Sequence, residues 1–215
     1  MPPLFQYPNY MLVAVDIDGT LIGYAIAGGT IGGLVRGYSG FGFAMSAVPI
    51  MSMGISPAIV VPSVLIHELA IGMFSLKSEK GSADPSLLIW LCLGSLIGTP
   101  LGLLALSHVS DDSMRLAIAL VLLLSVIALW TSRRNFITLQ ASVLSAAGFV
   151  SGILNGASAM SGPPVIITLL GSNLSASKMR GILIYFIAFS AAIGVGLSLV
   201  IGTQTITGLF IASFI

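Results

Sequence analysis

Apolar stretches follow one another along this chain, separated by short breaks that are polar or rich in glycine. A helix that crosses the hydrocarbon core of a bilayer needs about 20 predominantly apolar residues. Two of the predicted segments are too short to cross unaided. The pattern predicts an all-α fold, a polytopic helical membrane protein that contains broken or re-entrant helices. The predicted segments lie at about 20–36, 41–54, 57–76, 87–106, 114–131, 139–155, 160–172, 179–201 and 205–215.

The composition agrees with this prediction and narrows the function. Hydrophobic residues occupy 56% of the 215 positions and charged residues only 7%, whereas soluble domains carry about 25% charged residues. A soluble domain is therefore excluded, and the lack of a basic tract argues against a nucleic-acid partner. The single cysteine, Cys92, cannot form a disulfide framework or a cysteine metal site within the chain. We expect no metal site and no cofactor.

The placement of lysine and arginine predicts the orientation in the membrane, because cytoplasmic loops are enriched in these residues. If segments 20–36 and 41–54 form an out-and-back pair, only Arg115 falls on the side opposite the other basic residues. We assign the basic side to the cytoplasm, which places the amino terminus outside the cytoplasm and the chain in the cell (inner) membrane. The basic residues on the cytoplasmic side are Arg36, Lys77, Lys80, Arg133, Arg134, Lys178 and Arg180.

An internal repeat emerges when the chain is shifted by 119 positions. In both copies a break of glycine and serine precedes a short apolar piece and a longer segment. Self-similarity of this kind is typical of secondary transporters. The matched pairs are Gly33 with Gly152, Gly37 with Gly156, and Ser39 with Ser158.

The repeat divides a single membrane domain, 1–215, into repeat 1 at about 20–131 and repeat 2 at about 139–215. Repeat 2 is expected to be incomplete, because counterparts of the last two segments of repeat 1 would extend beyond Ile215. Five segments precede the second copy, and an odd number of crossings predicts repeats that are inverted in the membrane. If residues 20–54 cross only once, the copies run parallel instead.

Two glycine-rich breaks carry the main functional signal: GGLVRGYSGFGFAMSAVPI, from Gly32, and GFVSGILNGASAMSGPPVI, from Gly148. Irregular backbone within a membrane is tolerated only where it is buried in protein or lines a cavity. The amino-terminal ends of half-helices carry free N–H groups that suit a small oxyanion. Close helix packing is the alternative role of these small residues. The candidate substrate-binding residues are Ser39, Gly40, Gly42, Asn155, Gly156, Ser158, Ser161 and Gly162.

Three ionisable residues are further candidates. Arg36 could attract an anion at the cytoplasmic mouth, or it could be an ordinary positive-inside anchor. His67 and Glu68 lie in the middle of segment 57–76, where ionisable groups are costly and usually face a cavity or a partner. One of the two is a candidate proton relay. The alternative is that both pair with neighbours or lie at an interface.

Two other patterns carry less functional weight. Gly94, Gly98 and Gly102, at four-residue spacing, predict a helix-packing face. The stretch VAVDIDGTL at 13–21 resembles the aspartate-nucleophile motif of haloacid-dehalogenase-like phosphatases. That fold requires a soluble domain, so we interpret the match as chance and expect no enzyme. Asp16 and Asp18 are then expected to cap the first helix.

The stretches GYSGFGFAMSAVPIMSMGISPAIVVP and GFVSGILNGASAMSGPPVIITLL resemble the paired signature segments of the TauE/SafE family, and the likeness runs from about Leu12 to Ile215. The resemblance implies a multi-pass permease that exports sulfite or a related sulfonated or carboxylated anion without ATP. The chain departs from the family pattern at 161–164, which reads Ser-Gly-Pro-Pro where many members carry a glycine run, and in its carboxyl-terminal helices.

The predicted function is therefore export of a small anion such as sulfite or an organosulfonate by alternating access. The anion would bind between the broken segments 36–43 and 155–164. The expected partners are the small anionic substrate and the lipid bilayer, with a homodimer as a candidate assembly. The alternative function is a non-transporting membrane scaffold or accessory subunit.

Overall fold

The computed structural model of the protein describes residues 19–77, 83–131 and 138–201. All regular structure within these ranges is helical, which confirms the predicted all-α fold. Segment 205–215 and the residues Asp16, Asp18, Lys80, Arg133 and Arg134 lie outside the described ranges. The helices are α1 (Gly19–Ser39), α2 (Phe43–Met51), α3 (Pro57–Leu76), α4 (Pro85–His108), α5 (Asp111–Thr131), α6 (Ala141–Ser158), α7 (Gly162–Leu170) and α8 (Ala176–Ile201).

The described helices fall into two length classes: α2 and α7 have nine residues each, and the other six have 18 to 26 residues. Helices α3, α4, α5, α6 and α8 are long and apolar enough to cross a membrane. Helices α2 and α7 have nine residues each, so each is only about 14 Å long at 1.5 Å per residue. That length is less than half of a bilayer core. The predicted segments 41–54 and 160–172 therefore contain half-length helices.

Each half-length helix follows a break of three residues. In the first break, Gly40 and Gly42 have φ angles of 80° and 91°, a left-handed conformation that strongly favours glycine. In the second break, Ala159 ends α6 in the left-handed conformation, and its N–H donates to the carbonyl of Asn155. Prolines then occupy the first turn of α7, where a missing N–H costs little. The backbone must therefore leave the helix at both places.

The 119-residue offset of the sequence recurs in the helix boundaries. Helices α1 and α6 end 119 positions apart, and α3 and α8 begin 119 positions apart. Helix α2 at 43–51 and helix α7 at 162–170 match at both ends under the same shift. The two halves therefore share one succession of long helix, break, half-length helix and long helix.

Glycine contacts give the relative directions of the helices within each half and between the halves. Gly28 lies against Met51, and Gly32 lies against Phe43, so α1 and α2 are antiparallel.

Helices α3 and α8 are the counterparts of each other under the 119-residue shift. Gly72 of α3 lies against Ala188 of α8, and Leu65 of α3 lies against Gly194. The sequence numbers change in opposite senses along this contact, so α3 and α8 are antiparallel.

Helices α4 and α6 form a seam of backbone against backbone. A Cβ atom on Gly102 would lie 2.0 Å from the carbonyl oxygen of Ile153, and one on Gly148 would lie 2.1 Å from that of Leu91. Contact this close requires glycine. The two helices run parallel, because Gly94 meets Ser145 while Gly102 meets Ile153. The seam comprises Gly94, Gly98, Gly102, Gly148, Gly152 and Gly156, which confirms the packing face predicted for the first three.

Candidate functional site

The two helix breaks are inserted into each other's half of the protein. Phe41, in the first break, packs against a buried cluster that includes Ile166 of α7 and Leu183 of α8. Met160, in the second break, belongs to a buried cluster that includes Phe43 of α2 and Val64 of α3. Phe41 and Met160 are themselves 119 positions apart. The irregular backbone of each half is therefore held by the helices of the other half.

A buried ion pair joins the end of α1 to the middle of α3. Nη1 of Arg36 lies 2.9 Å from Oε2 of Glu68, and the two side chains are only 6% and 5% exposed. Arg36 lies in the last turn of α1. Its other terminal nitrogen, Nη2, is buried without a hydrogen-bond partner among the described residues. Arg36 is thus turned into the protein rather than towards a surface.

The same carboxylate caps the amino-terminal end of α2. The backbone N–H of Ala44 donates to Oε1 of Glu68 at 3.2 Å. The first turn of a helix has free N–H groups and the positive end of the helix dipole, so it favours a negative charge. The sequence predicted an oxyanion at such an end. In the structure, a carboxylate of the protein itself occupies that position.

His67, the residue before Glu68 on α3, also contacts the start of α2. Its ring stacks on Phe43 with a centroid separation of 6.0 Å and an interplanar angle of 30°. Its Nδ1 lies 2.8 Å from the carbonyl oxygen of Ser63. A carbonyl can only accept, so Nδ1 carries the proton of this hydrogen bond.

In the second half of the protein, the position equivalent to Arg36 carries a neutral side chain. Asn155 lies 119 positions after Arg36, and its Nδ2 donates to the carbonyl of Ser190 on α8 at 2.8 Å. The Ser190 hydroxyl lies 3.1 Å from that of Ser95 on α4, which in turn lies 3.4 Å from the Thr99 hydroxyl. The Ser151 hydroxyl is buried without a partner among the described residues. Asn155, Ser190, Ser95 and Thr99 thus form a cluster of neutral polar groups between α4, α6 and α8.

The remaining predicted residues of the second break are also in the interior. Ser158 is buried, and its hydroxyl donates to the carbonyl of Leu154 at 2.8 Å. Ser161 is buried at the start of α7. A Cβ on Gly162 would meet only Ile166, at 3.4 Å, whereas Gly156 belongs to the glycine seam. Around the second break, Gly156 is therefore needed for close helix packing, whereas Gly162 has room for a Cβ atom.

The residues of the first break lie nearer the surface. Ser39 is exposed, and its hydroxyl donates to the carbonyl of Val35 at 2.7 Å. Ser39 and Gly40 line a pocket of about 170 Å³ that α7 and α8 complete. A Cβ on Gly40 would lie 3.7 Å from Nε of Arg180, which also lines the pocket. Gly42 is not among the lining residues.

The structure thus divides the predicted site into a buried part and a pocket. Arg36, Glu68 and His67 converge on the start of α2, while Ser39 and Gly40 border the pocket with Arg180. Sequence reasoning missed two features. Arg180 carried only an orientation signal, and the hydroxyls of Ser95, Thr99 and Ser190 were not among the candidate residues. Among the described residues, no group of three or more histidine, cysteine or acidic side chains could hold a metal ion.

Comparison with known proteins identifies the family. Searches of curated proteins and of solved structures gave no match. The family model described as sulfite exporter TauE/SafE matches residues 25–215, which is most of the chain. This match confirms the resemblance seen in the two signature segments, and together with the apolar helices it establishes a multi-pass membrane protein. The chain belongs to the sulfite exporter TauE/SafE family, whose members are transporters.

Proposed function

We propose that this protein is a permease that exports a small oxyanion, such as sulfite or an organosulfonate, across the inner membrane by alternating access. The observation that carries the proposal is the convergence of a buried guanidinium, Arg36, and the amino-terminal end of the half-length helix α2. Both groups recognise oxyanions. The family match supports the same class of substrate.

The binding region proposed here lies where the two breaks meet. Phe43 at the start of α2 and Met160 of the second break belong to one buried cluster, so the ends of both half-length helices approach the interior of the protein. Irregular backbone inside a membrane needs protein or a cavity around it. Discontinuous helices around a central site are a recurring device of secondary transporters.

Alternating access is proposed to come from rocking of one repeat against the other. The antiparallel course of the equivalent helices α3 and α8 supports an inverted relation between the repeats. Repeat 1 then runs through α1–α5, and repeat 2 through α6–α8 and the residues that follow. The distribution of the basic residues favours an orientation in which the start of α1 lies outside the cytoplasm. The pocket beside Arg180 lies on the cytoplasmic side in this orientation, where an exported anion would arrive.

The proposal is tested by sulfite flux into proteoliposomes that contain the full chain. A Gly162→Leu variant places a bulky side chain at the start of α7, where the backbone has room for a Cβ. Gly196→Leu is the matched control, because a Cβ on Gly196 in α8 meets nothing within 4 Å. Gly42 is less suitable for this test, since its positive φ would strain any side chain.

We expect sulfite flux from the natural sequence and from Gly196→Leu, and at least about tenfold less from Gly162→Leu, which equals a change of 1.4 kcal/mol in the barrier. All three proteins should keep the same thermal unfolding temperature. An absence of flux with sulfite, sulfoacetate and other small oxyanions from folded protein would overturn the proposal and favour a scaffold or accessory subunit.

A further inference from the structure

Glu68 occupies the position at which an oxyanion would be bound. Resting on the proposed function, we propose that Glu68 is an internal substitute for the transported anion. The oxyanion takes its place at Arg36 and at the start of α2 when Glu68 accepts a proton. Binding of the anion is thereby linked to uptake of a proton by the Glu68 carboxylate.

The geometry of the carboxylate carries this proposal. Glu68 uses both of its oxygens, Oε2 towards Arg36 at 2.9 Å and Oε1 towards the N–H of Ala44 at 3.2 Å. Sulfite and sulfonates present oxygens at a similar spacing and can accept from the same two donors. They have a third oxygen, for which Nη2 of Arg36 is a buried donor without a partner among the described residues. An oxyanion would therefore satisfy this nitrogen, which Glu68 leaves unpaired.

Charge balance links the exchange to a proton. Arg36 and ionised Glu68 sum to zero net charge in a buried site. An added anion would leave one uncompensated negative charge at low dielectric, which is strongly unfavourable. A proton on Glu68 removes one negative charge, and the arriving anion restores it. The site then remains neutral in both states.

Among the described residues, Glu68 is the carboxyl group that pairs with Arg36, and its ionisable neighbours lie on several helices. Arg36 faces it from α1, and His67 is its neighbour on α3. Helices α2 and α6, which pack on α3, contain no ionisable side chain. Helix α8 carries Lys178, Arg180 and Tyr185, all before its stretch 188–194, which contacts Leu65 and Gly72 of α3. The ionisable side chains of the other two helices that contact α3 are Cys92 and His108 on α4 and Asp111, Asp112 and Arg115 on α5.

The first test compares proton movement with sulfite movement in proteoliposomes. Glu68→Gln keeps an oxygen for the Ala44 N–H but can no longer exchange a proton, and Asp112→Asn is the matched control at an exposed carboxylate. A trapped pH dye reports protons, and radiolabelled sulfite reports the anion. The protons that sulfite itself binds or releases are the same in all samples. A difference in the ratio of protons to sulfite therefore reports the contribution of Glu68.

We expect Glu68→Gln to move about one proton fewer per sulfite than the natural protein, while Asp112→Asn keeps the natural ratio. An unchanged ratio in Glu68→Gln overturns the inference and leaves the proposed function intact. Absence of sulfite flux from the natural protein would instead count against the proposed function, and the binding test that follows needs no flux.

The second test measures sulfite binding through the thermal unfolding temperature of the purified protein, because a ligand that binds only the folded state raises it. At about pH 8, where carboxyl groups ordinarily carry no proton, sulfite should bind Glu68→Gln roughly 5- to 150-fold more tightly than the natural protein. Glu68→Ala, which also removes the charge, serves if Glu68→Gln does not fold, and it should also bind more tightly. Arg36→Gln should lose the effect. Equal affinities, or no stabilisation by sulfite of any variant, overturn the inference.

Discussion

At the scale of single residues, the sequence identified Arg36 and Glu68 separately but could not pair them. Arg36 stood out as a cation at the end of a segment, and Glu68 as an ionisable group in the middle of another. Hydropathy shows how far along a helix a residue lies, but it does not show which helix faces it. The contact between residues 32 positions apart depends on the out-and-back course of α1 and α2, which only tertiary packing fixes. The same holds for Asn155 and Ser190.

The ion pair should behave as a unit towards mutation. Arg36→Met leaves the Glu68 charge buried alone, and removing one partner of such a pair costs about 3–5 kcal/mol. We expect the double variant Arg36→Met/Glu68→Leu to be more stable than Arg36→Met, because neither charge then remains unpaired. Equilibrium unfolding in mixed micelles measures both. Strictly additive losses would show that the two charges are not coupled.

The cap of α4 predicts a pH-dependent contribution to stability. Hydrogen bonds from the hydroxyl and the backbone N–H of Ser86, at 2.6 and 3.0 Å, hold the pKa of Asp84 below its usual range. A carboxyl whose pKa is lowered by folding stabilises the protein above its unfolded pKa of about 3.9, and this contribution is lost as pH falls through the folded value. The unfolding temperatures of the natural protein and Asp84→Ala should therefore differ at neutral pH and converge in acid. A difference that is independent of pH would contradict this assignment.

At the scale of helices, the sequence predicted most elements closely where local signals mark both ends. Segment 57–76 coincides with α3, because Pro57 suits a first helical position and the polar run from Lys77 ends the apolar stretch. Segment 41–54 was too long at both ends. Hydropathy does not register the left-handed Gly42, and the turn after Met51 contains apolar residues.

The glycine seam between α4 and α6 should be intolerant of even one methyl group. A Cβ on Gly98 would lie 2.2 Å from the carbonyl oxygen of Phe149, so Gly98→Ala must push the helices apart. Overpacking of this kind costs about 1–3 kcal/mol. Gly196→Ala, at an open position of α8, should be neutral or slightly stabilising. Thermal unfolding in detergent compares the two, and equal stabilities would show that the seam is not as close as described.

At the scale of the whole molecule, the parity of the predicted segments favoured inverted repeats before any contact was known. The helix directions are consistent with that prediction, since α3 and α8 are antiparallel. The insertion of Phe41 and Met160 into opposite halves was beyond sequence reasoning. Both are apolar residues in breaks. The sequence around an apolar residue does not show whether its side chain packs into the other half of the protein or faces lipid.

The proposed orientation can be checked by labelling from each side of the membrane. Cys92→Ser provides a background without native thiols, into which Ser110→Cys or Ser177→Cys is introduced. Ser110 lies between α4 and α5, and Ser177 lies in the first turn of α8. An impermeant maleimide should react with the first from the extracytoplasmic side and with the second only after the cells are opened. Labelling of both from the same side would contradict the orientation.

The seam between α4 and α6 also limits how the protein can move. It joins a helix of repeat 1 to a helix of repeat 2 through backbone atoms, with glycines where side chains would otherwise act as spacers. Two surfaces in such contact cannot slide past each other or part without losing their dispersion contacts together. They can turn only by small angles about the line where they touch. If the two halves rock as proposed, we expect the seam to act as the hinge axis and the largest displacements to fall on the elements farthest from it.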